Sequence, residues 1–134
     1  MNDGDRIKLI GSLYEAFGRG DLETILDALD DNVDWGVETS TDLASWYGPR
    51  RGKEGVASFF QQFGTAMEVD EFTPLSLAAN DDSVFALVRC RARARSTGKA
   101  VDMNLHHYFR FDGGKIAYYR GTEDTAAMQE AIKA

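Results

Sequence analysis

The sequence has almost no cysteine and little proline. Its single cysteine, Cys90, excludes an internal disulfide and any metal site built from several thiolates. Only 2 prolines occur, and the 13 glycines are dispersed, so no segment has the composition of a flexible linker. A chain of 134 residues has room for one hydrophobic core, and we expect a single domain spanning residues 1–134.

Long apolar runs are also missing, and none approaches the length needed to cross a bilayer. The first six residues lack the basic and then apolar profile of a signal peptide, so the expected compartment is the cytoplasm. The net charge of −7 repels phosphate backbones and anionic lipids. Neither nucleic acid nor a membrane is therefore an expected partner.

Apolar residues at helical spacing predict four helices. The first covers residues 6–17 with Asp3 or Asp5 as its cap, and the second follows Asp21 and buries a stripe that ends at Leu29. A third helix follows Gly52, and a fourth is capped by Asp124.

Alternating apolar and polar residues predict strands over residues 33–37, from Glu68 onward and over residues 115–122. Residues 39–51 are predicted to form a loop. Helices that lie on one side of an antiparallel sheet form an α+β fold.

The most informative pattern surrounds Thr97-Gly98, which we interpret as a two-residue hairpin turn. This register places Val88 opposite His107 and gives the paired strands two distinct faces. One face is apolar and carries His107 as its single histidine. The other carries an arginine stripe, formed by Arg89, Arg91, Arg93 and Arg95.

Several stretches carry a family resemblance. They are residues 13–17 running into Gly20-Asp21-Leu22, residues 31–35, residues 107–116 and residues 120–127. Together they resemble the SnoaL-like and ketosteroid-isomerase-like members of the nuclear transport factor two superfamily. The resemblance implies a cone-shaped, curved antiparallel sheet packed with three to four helices around an apolar pocket. It also implies a homodimer formed through the outer, arginine-bearing sheet face.

His107 is the first catalytic candidate. In ketosteroid isomerases, the position three residues before the arginine of Arg110-Phe111-Asp112 holds an acid that donates a hydrogen bond to the oxyanion. A histidine on an apolar wall is expected to stay neutral, because desolvation disfavours its charged form. The alternative is a core histidine whose hydrogen bonds are satisfied by a neighbouring tyrosine or carbonyl.

The other isomerase positions differ in this chain. The position of the isomerase tyrosine falls on Leu13, with Tyr14 one residue away, and that of the general-base aspartate falls on Val37. We keep Tyr14 as a catalytic candidate. Steroid isomerisation by the usual residues is not expected.

Glu123 is the third catalytic candidate. The final-strand aspartate of limonene epoxide hydrolases corresponds to Gly121, and Glu123 shares its strand parity. A water-activating carboxylate is one role for Glu123. A rim position beside the Asp124 cap is the interpretation that we favour from the sequence.

The loop over residues 39–51 carries Trp46 and Tyr47, which form either a pocket lid or the loop's own hydrophobic anchor. His106 and His107 are adjacent in a strand, so they face opposite sides and cannot chelate one metal ion. We predict neither a metal nor a cofactor. The residues expected to contact a ligand are Trp35, Val37, Trp46, Tyr47, Phe59, Phe63, Val88, Cys90, Met103, Leu105, Phe109 and Tyr119.

These observations predict a pocket protein for a small, largely apolar molecule, with a cofactor-independent isomerase or cyclase acting by proton transfer as its leading activity. Two alternatives remain from the sequence. One is a non-catalytic ligand-binding or dimeric interaction module, and the other is an enzyme similar to epoxide hydrolases.

Overall fold

A computed structural model describes all residues, 1–134. Six strands form one curved sheet in the order β2-β1-β6-β5-β4-β3, in which β1 lies parallel to β6 and the other neighbours are antiparallel. The predicted α+β architecture is confirmed. The elements are α1 (Asp3–Gly18), α2 (Leu22–Asp27), β1 (Leu29–Val37), β2 (Arg50–Arg51), α3 (Gly52–Ala66), β3 (Met67–Asn80), β4 (Ser83–Ala94), β5 (Ala100–Asp112), β6 (Lys115–Thr122) and α4 (Thr125–Ile132).

Polar side chains cap three of the four helices. Asn2, and neither Asp3 nor Asp5, caps α1: its side chain accepts from the Asp5 N–H at 2.8 Å while Asp5 accepts from the Asn2 N–H at 3.0 Å. The predicted first cap was therefore wrong. Asp21 and Asp124 cap α2 and α4 as expected.

Strand β1 begins earlier than the sequence pattern indicated. Leu29, expected on the buried stripe of α2, instead opens β1 and pairs with Ile116 of β6. A register irregularity between Leu29 and Asp34 interrupts the period-two alternation, which explains why only residues 33–37 looked like a strand. The loop after β1 also contains the two-residue strand β2.

The hairpin between β4 and β5 has a four-residue loop, not the predicted two-residue turn. Ala94 N–H donates to the Lys99 carbonyl at 2.9 Å, and Gly98 adopts a φ of 75°. His107 consequently lies opposite Ala86 and not opposite Val88. A two-residue shift preserves strand parity, so the apolar face and the arginine-bearing face keep the residues predicted for them.

The core lies between the apolar sheet face and the helices, and Ile10, Val56, Trp46 and Met128 are almost completely buried in it. His107 is the one histidine among the buried residues, and no lysine, arginine or carboxylate joins it there. None of the helices has both the length and the hydropathy that crossing a membrane requires.

Candidate functional site

A cavity of about 90 Å³ lies between the apolar sheet face and helices α1 to α3. Sixteen of its 20 lining residues are hydrophobic, and the other four are Gly121, Thr122, His107 and Glu123. The cavity is therefore a nearly apolar space into which one histidine and one carboxyl group project.

His107 projects from β5 and is held by Tyr14 of α1. A hydrogen bond of 2.6 Å joins Tyr14 Oη to His107 Nδ1, and the two rings stack with an interplanar angle of 9°. Burial, with a smaller contribution from the charge of His106, lowers the pKa of His107 to about 3. Burial raises the pKa of Tyr14 well above its usual value. Both side chains are consequently neutral near pH 7.

Toward the cavity, His107 Nε2 can be either a hydrogen-bond donor or a hydrogen-bond acceptor. When Tyr14 donates to Nδ1, the imidazole proton lies on Nε2, and when Nδ1 donates to Tyr14, Nε2 carries a free lone pair. Nε2 makes no hydrogen bond to the protein. The tyrosine thus satisfies one nitrogen of His107, as a core histidine would require, and leaves the other available.

Glu123 enters the cavity from the residue after β6. Trp46 donates its indole N–H to Oε2 at 2.9 Å, and Tyr47 donates its hydroxyl to Oε1 at 2.8 Å. Burial raises the pKa of Glu123, and the two hydrogen bonds partly oppose this by stabilising the carboxylate. The 39–51 loop folds back over Glu123, which stays partly exposed beside the Asp124 cap, and its role as a rim residue or as a water-activating carboxylate stays a prediction.

Cys90 is the one thiol that lines the cavity. Burial raises the pKa of the Cys90 thiol to about 12, so it remains protonated. The chain contains no group of three or more His, Cys, Asp or Glu side chains placed to hold a metal ion.

A family model described as the SnoaL-like domain matches residues 10–119. The chain belongs to the SnoaL-like domain family. The match begins within α1 and ends within β6, so it includes most of the cavity wall but not Gly121, Thr122 and Glu123.

Solved structures share the fold of this SnoaL-like chain. An NTF2-like protein from Burkholderia pseudomallei is 26% identical, with a TM-score of 0.87 and coverage of 95% of this chain and 96% of that one. TerC, crystallised with polyporic acid, is 21% identical with a TM-score of 0.82, covering 96% and 98%. An LEH-like epoxide hydrolase from Mycobacterium tuberculosis is 16% identical with a TM-score of 0.75, covering 97% and 90%. No curated protein matches the sequence.

The SnoaL-like cavity brings together most of the residues singled out from the sequence. Val88 is completely buried on the same sheet face but does not line the cavity, and Trp46 and Tyr47 lie behind Glu123. Their contact with a ligand stays a prediction, as it does for the others. The predicted residues that line the cavity are Tyr14, Trp35, Val37, Phe59, Phe63, Cys90, Met103, Leu105, His107, Phe109, Tyr119 and Glu123.

Other lining residues of the SnoaL-like domain were not singled out from the sequence. Phe17 follows Leu13 by four positions on α1, and that helical spacing would have placed both on the cavity side. Phe72 packs against Phe17 with ring centroids 4.7 Å apart and an interplanar angle of 53°. It lies on β3, and no sequence register had been assigned to that strand.

Proposed function

We propose that this SnoaL-like protein binds a small, largely apolar molecule in its cavity and catalyses proton transfer on it, as an isomerase or cyclase that needs no cofactor. The observation that carries the proposal is a neutral imidazole with one free nitrogen, in the same apolar cavity as a partly buried carboxyl group. Paired acid and base groups with pKa values shifted by their surroundings are typical of catalytic sites.

Each group has a distinct part in the proposed reaction. Glu123, as the carboxylate, accepts a proton from one position of the ligand and returns it to another, so it ends the cycle unchanged. Its raised pKa makes it a stronger base than an exposed glutamate. His107 donates a hydrogen bond from Nε2 to the atom that becomes electron-rich, and Tyr14 fixes the tautomer that carries this proton.

A ligand screen with a matched pair of variants tests this function. Hydrophobic ketones, lactones and epoxides are screened first by thermal shift and then by product formation. We expect His107→Ala to lower turnover of any converted ligand by at least about 100-fold, as for loss of a general acid or base. His106→Ala, which changes the neighbouring histidine on the outer face, should leave turnover unchanged.

The outcomes separate the rival interpretations. Unchanged turnover in His107→Ala would remove this residue from the mechanism. A ligand that binds tightly but is never converted would instead support the non-catalytic binding module. Conversion of epoxides alone would favour the hydrolase activity that the Mycobacterium tuberculosis neighbour's name describes.

We also propose that two copies associate through the outer face of β4 to β6. Phe85 is 47% exposed on this face and packs against Tyr108, with ring centroids 5.0 Å apart. On the same face Arg89 and Arg91 pair with Asp102, and Arg93 pairs with Glu68 and Asp70. The face therefore carries exposed aromatic rings beside paired charges, and aromatic residues and arginine are enriched in protein interfaces.

Sedimentation velocity at micromolar concentration tests the association. We expect a dimer for the wild type and a monomer for Phe85→Lys, because the substitution places a solvated charge at the centre of the interface. A monomeric wild type would contradict the proposal.

A further inference from the structure

Arg50 and Arg51 are the two residues of β2, and they face opposite sides of the sheet. Arg51 lies opposite Asp34 of β1, with its side chain 73% exposed and 3.9 Å from the Asp34 carboxylate. Arg50 lies opposite Trp35, on the side where α3 packs. Its side chain is half-buried, and every hydrogen-bond partner of its guanidinium group is neutral.

The Arg50 guanidinium joins helix α3 to the loop that precedes β2. It donates to Ser58 Oγ at 3.3 Å and to the side-chain oxygen of Gln62, and these two residues lie one turn apart on the same face of α3. The same group donates to the Ser45 carbonyl at 3.0 Å. A guanidinium presents several N–H donors in one rigid plane, so a single side chain can hold the helix and the loop together.

The Ser45 carbonyl belongs to the turn that carries both partners of Glu123. We call residues 44–47 the Ser45 turn, which is closed by a hydrogen bond of 3.1 Å from the Tyr47 N–H to the Ala44 carbonyl. Trp46 and Tyr47 of this turn donate to the two oxygens of Glu123 at 2.9 and 2.8 Å. A chain of hydrogen bonds thus runs from α3 through the guanidinium and the Ser45 turn to the carboxyl group in the cavity.

The Glu123 side chain depends on this turn for its place. Its only hydrogen-bond partners are Trp46 and Tyr47. Strand β6 ends one residue earlier, at Thr122, so no strand pairing fixes the backbone of Glu123 either. A shift of the Ser45 turn would therefore move the carboxyl group or leave it without partners.

We propose that Arg50 is a positioning residue for the proton transfer, because it holds the Ser45 turn against α3 and thereby keeps the Glu123 carboxylate in the cavity. The inference rests on the proposed function, in which Glu123 is the base. Arg50 does not line the cavity and acts through the turn. A reacting group that is misplaced by about 1 Å can lose about 100-fold in rate, so the hold on the turn governs how well the base works.

Hydrogen exchange of the indole N–H groups tests the hold on the turn and needs no ligand. The chain has two tryptophans: Trp46 reports the Ser45 turn, and Trp35 in the cavity wall is the internal reference. Arg50→Met keeps a long side chain without a donor. We expect it to make exchange of the Trp46 indole about tenfold faster, as for one lost hydrogen bond, and to leave Trp35 unchanged.

NMR titration of the Glu123 carboxyl carbon separates positioning from a general loss of stability. Burial raises the pKa of Glu123 by more than its two hydrogen bonds lower it, so releasing the turn should move the pKa down toward the 4.5 of a solvated glutamate. A mere loss of stability would not move the titration of the molecules that remain folded. The titratable groups around Glu123 stay neutral between about pH 4 and pH 8 and do not distort the curve. They are Tyr14, Tyr47, Cys90, His107 and Tyr119.

Arg51→Met is the matched control. It removes the same charge from the opposite face of β2, so both readouts should match the wild type. Gln62→Met removes one α3 partner of Arg50 and should shift both readouts in the same direction by less. This milder variant keeps the proposal testable if Arg50→Met does not fold.

Turnover completes the test for any ligand that is converted. Arg50→Met should lower kcat by at least about tenfold and leave KM nearly unchanged, because the base moves while the apolar contacts of the ligand remain. Exchange and titration like those of the wild type in Arg50→Met would overturn the role of Arg50 and leave the proposed function standing. A displaced Glu123 with unchanged turnover would overturn Glu123 as the base and, with it, the positioning role.

Discussion

Acidification from pH 6.5 to pH 3 should lower the free energy of unfolding by up to about 5 kcal/mol through the titration of His107 alone. The pKa of His107 is about 3 in the folded chain and 6.5 when solvated. The unfolded state therefore binds the proton first, and the free energy of unfolding falls as the pH drops through this interval. Domains of this size have only about 5–15 kcal/mol of stability, so urea unfolding between pH 3 and pH 7 will show the effect.

His107→Asn isolates this contribution. Asparagine does not titrate and can place a polar atom near the Nδ1 position, which keeps a partner for Tyr14. Hydrogen-bonded carboxylates such as Asp21 and Asp70 have lowered pKa values, so their protonation in acid also destabilises the folded chain, but only below about pH 4. Glu123 acts in the opposite direction: because its pKa is raised in the folded chain, its protonation in acid adds to the free energy of unfolding. An equal loss between pH 6.5 and pH 4.5 in wild type and variant would contradict the prediction.

Removing both hydrogen-bond donors of Glu123 should produce the second large effect. In the double variant Trp46→Phe with Tyr47→Phe, an aromatic ring stays at both positions but the carboxylate loses its indole and hydroxyl partners. We expect a loss of about 3 kcal/mol at pH 7, which lowers the melting temperature by roughly 10 °C. The loss should shrink toward pH 4, because the carboxyl group is then protonated.

Glu123→Gln tests whether the buried charge is the cause. Added to the double variant, it should recover most of the lost stability, since no charge then remains without partners. If the triple variant melts as low as the double variant, the loss came from packing of the 39–51 loop instead. Calorimetric melting at pH 4 and pH 7 distinguishes the two.

The fold was largely predictable because strand parity and helix capping are local properties. Asp21 and Asp124 cap their helices by reaching three residues along the chain, and the two faces of β4 and β5 follow from alternation alone. The register between these strands was missed by two residues. The register depends on the length of the loop before Lys99. A shift of two residues leaves every side chain on the same face, so the alternation of apolar and polar residues cannot detect it.

The site was less predictable because its contacts join distant parts of the chain. Tyr14 and His107 are 93 residues apart, and no period in either segment indicates that their side chains meet. The environment of Glu123 depends on a loop 76 residues earlier in the chain. The sequence also does not show why residue 121 is a glycine: in the folded chain a Cβ atom there would overlap the Tyr119 hydroxyl.

The only cysteine of the chain lines the cavity and is completely buried. A thiol-reactive dye in solution can reach it only when the wall between the helices and the sheet opens, because burial both covers the thiol and raises its pKa to about 12 while the cavity is closed. The labelling rate of unmodified protein thus counts cavity openings, as in exchange experiments on buried amides. Cys90 therefore reports how often the cavity opens, at a single site and without an engineered label.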